Sequence, residues 1–194
     1  MQISDDELIS YLSKLEISAL FLLSGANAAP IPNETAYQKE LFFIANNDEE
    51  LCDDADFEPY YYGPYSEPAK IALEHLISYG LGEKKGNSYY ITAYGKKIVQ
   101  LLKNKNLNAD LEIFDEIKDF LNDLTHHERI LVTYVINPDY TTESQIRNKI
   151  LSERVQLAHN MYQKGKVGLE MAAHLAGISM ENLLDKIRKN RHLA

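Results

Sequence analysis

The fold of the C-terminal part is decided by the stretch Ala172-Ala173-His174-Leu175-Ala176-Gly177-Ile178-Ser179. A helix-turn-helix needs a small residue where its helices approach each other, a glycine where φ is positive, and apolar residues that hold the second helix. The stretch has the first two at these spacings, and Leu183 and Ile187 follow as apolar anchors. We predict helices over 169–175 and 179–190, joined as a helix-turn-helix. An αα-corner that only packs or dimerises is the alternative.

The second of these helices carries the candidate DNA contacts. A recognition helix offers polar side chains to base edges and cations to phosphates. The candidates are Ser179, Met180, Asn182, Lys186, Arg188, Lys189 and Arg191.

Charge is distributed unevenly along the chain. The 194 residues carry a formal net charge of −9, which repels phosphate. From Arg154 onward, seven basic side chains face three acidic ones, a net +4, and the first 153 residues carry −13. Contact with nucleic acid is therefore expected at the C-terminal end, unless a basic wing or a dimer interface changes the local field.

Upstream, the pattern of elements predicts a winged helix. Apolar spacing indicates a helix over 5–23, a turn over 24–33, and a second helix from near Asn33 to Ala45. An exposed acidic loop is expected over 46–58, followed by a third helix over 67–79 that Ser66 caps. A β-hairpin within 81–92 and a helix over 93–103 complete the outline. Lys84 and Lys85, at the tip of this wing, are further DNA-binding candidates.

An aromatic turn precedes the third helix. Pro59, Gly63 and Pro64 restrict its backbone, and its tyrosines offer flat packing surfaces. The candidate protein-binding residues are Tyr60, Tyr61, Tyr62 and Tyr65. The alternative is an aromatic cluster that seals the loop onto its own domain.

The remaining chain reads as helices that connect the two ends. Residues 103–111 resemble a linker, and Pro138 interrupts the apolar pattern that follows. We predict separate helices over 142–152 and 154–163. The resulting organisation is mainly α, with a winged-helix domain over 1–103, a helical connecting segment over 104–153 and a helix-turn-helix over 154–194.

The C-terminal forty residues resemble a known family. The residues that carry the resemblance are Val155-Gln156-Leu157-Ala158, the turn Lys164-Gly165-Lys166, and Ala172-Ala173-x-x-Ala176-Gly177-Ile178-Ser179. Together they resemble the small prokaryotic VapB-like antitoxins, the partners of PIN-domain ribonuclease toxins. This resemblance implies that the segment binds double-stranded DNA and neutralises a nuclease.

A second resemblance covers the N-terminal part. It rests on Thr35 to Phe43, on Tyr61-Tyr62-Gly63-Pro64-Tyr65-Ser66, and on Ile91-Thr92-x-x-Gly95-Lys96. In this order the segments are similar to the winged-helix domain of YwgA-like proteins and of the Panacea (SocA-like) antitoxins. The resemblance implies antitoxin activity or adaptor binding rather than catalysis.

Catalytic, metal and membrane functions find little support. The acidic run 48–58 lacks the spacing and the central glycine of a calcium loop, and His126-His127-Glu128 does not match a zinc-protease motif. The single Cys52 cannot form an internal disulfide. We expect no catalytic residues, metal or cofactor, and the lack of a signal or a spanning segment suggests a cytoplasmic location.

The sequence thus predicts an antitoxin-like or transcription-regulatory protein that binds a partner protein and can contact DNA. A homodimer is expected, because one short helix-turn-helix offers few contacts. The alternative is an interaction adaptor that binds no nucleic acid.

Overall fold

Capping side chains determine where most helices begin. The computed structural model describes residues 4–105 and 111–191, together with side chains up to 189. Eight N-cap side chains in these ranges accept a hydrogen bond from a first-turn backbone N–H, namely Ser4, Ser13, Asn33, Asp48, Ser66, Thr92, Thr125 and Ser179. Each satisfies a donor that the helix itself leaves without a partner.

The chain is mainly helical, as predicted, with two small two-stranded sheets among the described residues. Up to residue 123 the elements are α1 (Asp5–Tyr11), α2 (Lys14–Ala28), α3 (Glu34–Ala45), α4 (Glu49–Ala55), β1 (Glu58–Tyr60), β2 (Gly63–Tyr65), α5 (Glu67–Ser78), β3 (Gly82–Lys85), β4 (Ser88–Ile91), α6 (Ala93–Asn104) and α7 (Leu111–Asn122). Then follow α8 (His126–Ile136), a 3₁₀ turn (Pro138–Thr141), α9 (Arg147–Gln163), α10 (Leu169–Ala176) and α11 (Met180–Arg191).

Contacts divide these elements into two compact units. Unit 1 comprises Met1–Glu58 and Pro64–Asp123, and unit 2 comprises Pro59–Gly63 and Leu124–Ala194. The tip of the β1–β2 hairpin therefore belongs to unit 2, although its neighbours in sequence belong to unit 1. The predicted boundaries at 103 and 153 stay a prediction, because contacts alone do not establish which segments fold independently.

Helix α2 is the centre of unit 1. Residues 19–23 of this helix are apolar and buried on every side. A helix that is apolar all round must be surrounded by other elements, and α2 packs against α5, α7, α6 and the β4 strand. Burying one such large side chain stabilises the fold by about 1.5–3 kcal/mol, so this stretch holds unit 1 together.

The predicted helix over 5–23 is in fact two helices. The break falls at Ser13, which forms a capping box with Glu16. The Ser13 hydroxyl accepts from the Glu16 N–H at 3.1 Å, and the Glu16 carboxylate accepts from the Ser13 N–H at 2.7 Å. The apolar spacing continues across the break, which is why it suggested one helix, but the capping box starts a new helix there.

The acidic segment 46–58 was predicted to be an exposed loop, and this prediction is wrong. It contains α4, which Asp48 caps and which buries Leu51 and Ala55 one turn apart. Lys14 forms ion pairs with Asp48 at 2.8 Å and with Glu50 at 2.6 Å. The two buried residues provide the apolar face that the many acids conceal in the sequence.

The predicted β-hairpin is confirmed. Strands β3 and β4 pair antiparallel, from Gly82 opposite Ile91 to Lys85 opposite Ser88. Ile31 adds one more bridge, because it exchanges two backbone hydrogen bonds with Tyr89 at 2.9 and 3.0 Å. The segment between α2 and α3 is thereby attached to the hairpin.

One face of α7 binds the backbone of the last part of α2 and of the segment just after it. Asp115 accepts from the Ala26 N–H at 2.7 Å, Lys118 donates to the Leu23 carbonyl at 3.0 Å, and Asn122 donates to the Pro30 carbonyl. Positions three and seven residues apart share one side of a helix. The bound segment holds Ala26, Asn27 and Ala28 at positive φ, which costs about 1–2 kcal/mol for each non-glycine residue. The contacts with α7 help to offset that cost.

Unit 2 is built on α9, which packs against α8 and α10. The buried Glu128 carboxylate caps α8 and accepts from the Lys164 ammonium at 2.8 and 2.9 Å. Separate helices over 142–152 and 154–163 were predicted, and this is wrong, because α9 runs unbroken from Arg147 to Gln163. The segment contains neither proline nor glycine, so nothing in it requires a break.

Within residues 4–105 and 111–191, no single helix is long and apolar enough to cross a bilayer. Among these residues, only α1 and α2 taken together have the length and apolar composition of such a span, and the two helices are bent by 116° relative to each other.

Candidate nucleic-acid interface

The turn between α10 and α11 is closed by backbone hydrogen bonds. Gly177 has φ +68°, the left-handed conformation that the sequence predicted for it. Its N–H donates to the His174 carbonyl at 3.1 Å, and the Ile178 N–H donates to the Ala173 carbonyl at 3.2 Å. This pair of bonds is a Schellman motif, which satisfies the last carbonyls of α10 and gives the chain a defined exit direction.

Arg154 of α9 braces the same turn. Its guanidinium donates to the Leu175 carbonyl at 2.7 Å and to the His174 carbonyl at 3.1 Å. A Cβ added to Gly177 would lie 2.5 Å from this guanidinium. Arg154 was counted among the C-terminal cations, but its charge serves the turn. The sequence offered no signal for this role, because the two positions are more than twenty residues apart.

Helix α11 begins at Ser179 and buries one narrow face. The Ser179 hydroxyl accepts from the Asn182 N–H at 3.2 Å, and its carbonyl accepts from the Leu183 N–H at 3.0 Å. Leu183 and Ile187 are buried, four residues apart, as predicted. Among the other described side chains of α11, Leu184 is half-buried and the others are exposed.

Six of the predicted DNA-binding residues of this segment are exposed. The exposed residues are Ser179, Met180, Asn182, Lys186, Arg188 and Lys189. Arg188 lies 3.8 Å from Asp185, a distance at which an exposed pair contributes little. Lys186 and Lys189 form no ion pair with any residue that the structure describes. The side chain of Arg191 lies outside the described residues.

The other two predicted cations belong to unit 1. Lys84 and Lys85 lie at the tip of the β3–β4 hairpin, with their ammonium groups 5.2 and 5.3 Å from the ring centres of Tyr89 and Tyr90. Lys85 also pairs with Glu83 at 2.5 Å. Both lysines are exposed, but one of the two charges is already balanced.

The exposed face of α5 is acidic. Glu67 accepts hydrogen bonds from the Tyr65 hydroxyl at 2.6 Å and from Lys70 at 3.1 Å, and these bonds lower the pKa of its carboxyl. Glu74 is exposed on the same helix, whose one lysine is thus paired. A surface of this charge repels phosphate.

Three of the four candidate tyrosines are exposed. Tyr60, Tyr61 and Tyr62 keep 44–47 % of their surface in solvent. They belong to unit 2. There the ring centres of Tyr62 and His126 lie 5.6 Å apart in an edge-to-face arrangement, and the Ser144 hydroxyl donates to the Tyr61 carbonyl at 3.0 Å. Tyr65 is half-buried and belongs to unit 1. The four candidate tyrosines are therefore divided between the two units.

Two buried polar groups of α3 position the start of α5. Lys39 donates to the Pro64 carbonyl at 2.7 Å, and Gln38 bonds both the N–H and the carbonyl of Ser66 at 2.9 Å. Burial lowers the pKa of the Lys39 ammonium to about 7. No local pattern marks this lysine as buried, because lysine is rarely buried in proteins.

Comparison of the chain with protein-family models, with curated proteins and with solved structures finds no match.

Proposed function

We propose that the protein is a helix-turn-helix regulatory protein of the antitoxin type, which contacts double-stranded DNA through α11 and binds a partner protein. The observation that carries the proposal is the exposed face of α11. Its polar N-terminal turn and its lysines, which form no ion pair with a described residue, project from a helix whose angle is held by a Schellman turn and by Arg154. A rigid, exposed helix of this kind suits the major groove.

The polar residues of α11 suit different parts of DNA. Asn182 lies in the first turn, where recognition helices meet base edges, and its amide suits adenine. Lys186, Arg188 and Lys189 follow in the next turns and suit phosphates, which position the protein without reading sequence. Glu181, in the first turn, favours a cytosine amino group over a phosphate.

The topology of unit 1 supports a winged helix as the body of this protein. Helices α2, α3 and α5 precede the β3–β4 hairpin, and the bridge at Ile31 lies between the first two of them. A winged helix has this order of helices, short strand and wing. Because the exposed face of α5 is acidic, we assign this body to protein binding rather than to reading DNA.

The partner is proposed to be a protein, and the resemblance of the C-terminal segment to VapB-like antitoxins favours a PIN-domain-like nuclease. Tyr60, Tyr61 and Tyr62 are the proposed anchors, since exposed tyrosines often dominate the energetics of interfaces. We also propose a homodimer, because two copies of α11 would double the few contacts that one copy can make.

The test of DNA binding replaces the three cations of α11. Lys186, Arg188 and Lys189 are changed to alanine together, and binding to DNA from upstream of the protein's own gene is followed by fluorescence anisotropy. We expect the affinity to fall at least about tenfold, because phosphate contacts supply much of it. The matched control changes Lys96, Lys103 and Lys149 to alanine. These three lysines are exposed, and their replacement removes the same charge. An equal loss in both variants would show a non-specific charge effect and overturn the assignment to α11.

A second candidate function is an adaptor that binds no nucleic acid, which the exposed tyrosines favour. Co-purification of the tagged protein from its native host distinguishes the two. Retained partner binding and lost DNA binding in the α11 variant support the regulatory protein. If the wild type binds a partner but no DNA, the adaptor is correct.

A further inference from the structure

A row of exposed side chains, the α5 stripe, runs along the outer side of α5 in unit 1. Ile71, His75 and Tyr79 follow one another at intervals of four residues, which places them on one face of the helix and its C-cap. Ile71 and Tyr79 keep 42 % and 41 % of their surface in solvent, and the His75 side chain keeps 50 %. The rings of His75 and Tyr79 lie 6.0 Å apart. Single exposed apolar residues are common, but a row spaced by one helical turn is typical of a docking surface.

The rest of α5 holds the α5 stripe in place. The residues on the opposite face are small or aliphatic and buried, namely Ala69, Ala72, Leu73 and Leu76. On the exposed side, the His75 Nδ1 atom lies 2.8 Å from a carboxylate oxygen of Glu16, which itself belongs to the capping box of α2. The α5 stripe is therefore presented by a helix whose position is already fixed.

Acidic side chains border the α5 stripe. Glu67 lies one turn before Ile71, and Glu74 lies three residues after it, so both are neighbours of the stripe on the helix surface. The Glu67 carboxylate, mainly through its hydrogen bond, and then Glu74 and Glu34 raise the pKa of the Lys70 ammonium. One cation thus lies among three carboxylates, a local net charge of −2. Such a surface attracts a cationic partner and repels nucleic acid.

From these observations we propose that the α5 stripe binds a cationic amphipathic helix of a partner protein. Aliphatic side chains of that helix pack on Ile71, His75 and Tyr79, and its Lys or Arg side chains meet Glu67 and Glu74. The inference rests on the proposed function, which assigns unit 1 to protein binding, and it adds the surface and the chemistry of the partner. This surface is additional to the tyrosines at 60–62.

The backbone of α5 favours a helix over an extended segment as the occupant. An extended peptide binds through main-chain hydrogen bonds to the edge of a sheet. The N–H and C=O groups in the middle of α5 already bond within the helix, so only side chains are available to a partner. From Ile71 to Tyr79 the stripe spans roughly 12 Å, about two helical turns. Side chains one turn apart on a second helix fit between those of the stripe.

The test uses a synthetic, labelled peptide as the probe and the full chain as the receptor. The peptide has about 16 residues, roughly four helical turns, with leucine at every third or fourth position, lysine and arginine beside this row, and alanine elsewhere. Binding is followed by fluorescence anisotropy. We expect saturable binding, and at least about tenfold weaker binding of a peptide of the same composition whose leucines do not share a face.

Two variants of the protein separate apolar packing from charge. Ile71→Ser with Tyr79→Ser should weaken binding at least about tenfold, whereas the control Ile136→Ser with Tyr11→Ser, which removes the same two side-chain types from exposed positions, should leave it unchanged. Glu67→Gln with Glu74→Gln should weaken binding about 3- to 10-fold at low salt. Its control changes the exposed Glu112 and Glu116 of α7 to glutamine. Circular dichroism confirms the fold of each variant.

Several outcomes would overturn the proposal. Equal affinity for the rearranged peptide would mean charge attraction alone, and equal affinity for a peptide with glutamate in place of its cations would contradict charge complementarity. Undiminished binding to the Ile71→Ser, Tyr79→Ser variant would place the peptide elsewhere. In co-purification from the native host, a partner retained by this variant would overturn only the α5 stripe and leave the proposed function intact. A wild type that binds neither partner nor DNA would instead contradict the proposed function, whatever the peptide does.

Discussion

At the scale of single residues, Gly177 is subject to two separate constraints. The residue needs a positive φ, and it leaves space for the Arg154 guanidinium. Gly165 has nearly the same φ, +70° against +68°, but nothing lies within 4 Å of the position of its Cβ. Gly177 and Gly165, both of unit 2, are therefore suited to a direct comparison.

We expect Gly177→Ala to lower the free energy of unfolding by about 2–4 kcal/mol, and Gly165→Ala by about 1–2 kcal/mol. Both variants pay for the left-handed backbone, but only the first must also displace Arg154 from two carbonyls. Urea denaturation of the two variants and of the wild type measures the difference. Equal losses would contradict the bracing role of Arg154.

The buried Lys39 predicts a dependence of stability on pH. Its pKa is about 7 in the folded chain and near 10.5 when unfolded, so the unfolded state binds more protons between these values. The stability contributed by this group is lowest below pH 7 and rises up to about pH 10.5. Lys118, whose pKa is lowered to about 8, acts in the same direction.

In Lys39→Met the free energy of unfolding should rise less steeply with pH, because one of the two groups no longer titrates. The slope should fall by up to the amount that corresponds to one bound proton per molecule. The measurement is the free energy of unfolding in urea at pH 7, 8, 9 and 10, compared with the wild type. Since the variant also leaves the Pro64 carbonyl without its donor, the slope with pH is the diagnostic quantity and not the absolute stability. Parallel curves would show that Lys39 is not buried in its neutral form.

At the scale of elements, α7 supports an unusual segment of backbone. The three residues Ala26, Asn27 and Ala28 all have positive φ, and Asp115 accepts the first N–H of this run. Asp119 lies one turn further along the same helix, is exposed and has no hydrogen bond to any described residue. The two aspartates thus share helix and charge but differ in this contact.

Asp115→Ala is expected to reduce the free energy of unfolding by about 1–3 kcal/mol, the cost of a backbone donor that loses a charged acceptor. Asp119→Ala should change it by less than about 0.5 kcal/mol. Thermal and chemical unfolding of both variants test this difference, and hydrogen exchange at Ala26 localises it. A neutral Asp115→Ala would mean that the left-handed segment does not depend on α7.

Whole-molecule charge limits how the protein can meet DNA. The net charge is −9, so only a local basic surface can attract phosphate. In the proposed DNA contact, the exposed cations Lys186, Arg188 and Lys189 of α11 would supply such a surface. A small number of phosphate contacts implies a moderate dependence on salt.

For three contacts the slope of log K against log salt should be about −3 per protomer, and about −5 for a dimer. Titrating a fixed DNA with sodium chloride between 50 and 300 mM measures it by anisotropy. A slope near zero would exclude α11 as an electrostatic contact. A slope near −10 would require cations from other surfaces.

Whether a feature of the fold could be predicted from the sequence depends on how far apart its interacting residues lie along the chain. The ends of α5, the β3–β4 hairpin, the Gly177 turn and the anchors Leu183 and Ile187 were predicted correctly. Each is encoded within a few positions by a cap, a glycine or an apolar period. The capping box at Ser13 was also local, but the apolar spacing that continues across it suggested one helix. Helix α4 was missed because its acids concealed the two residues that it buries.

By itself, the sequence determined the helical class, most of the helix starts and the geometry of the final turn, because capping and φ preferences act between near neighbours. Only the tertiary structure decided that the tyrosine tip at 59–63 belongs to the C-terminal unit, that Lys39 is buried and that Arg154 braces Gly177. These features join residues that are distant in the chain, and packing alone determines which of them meet.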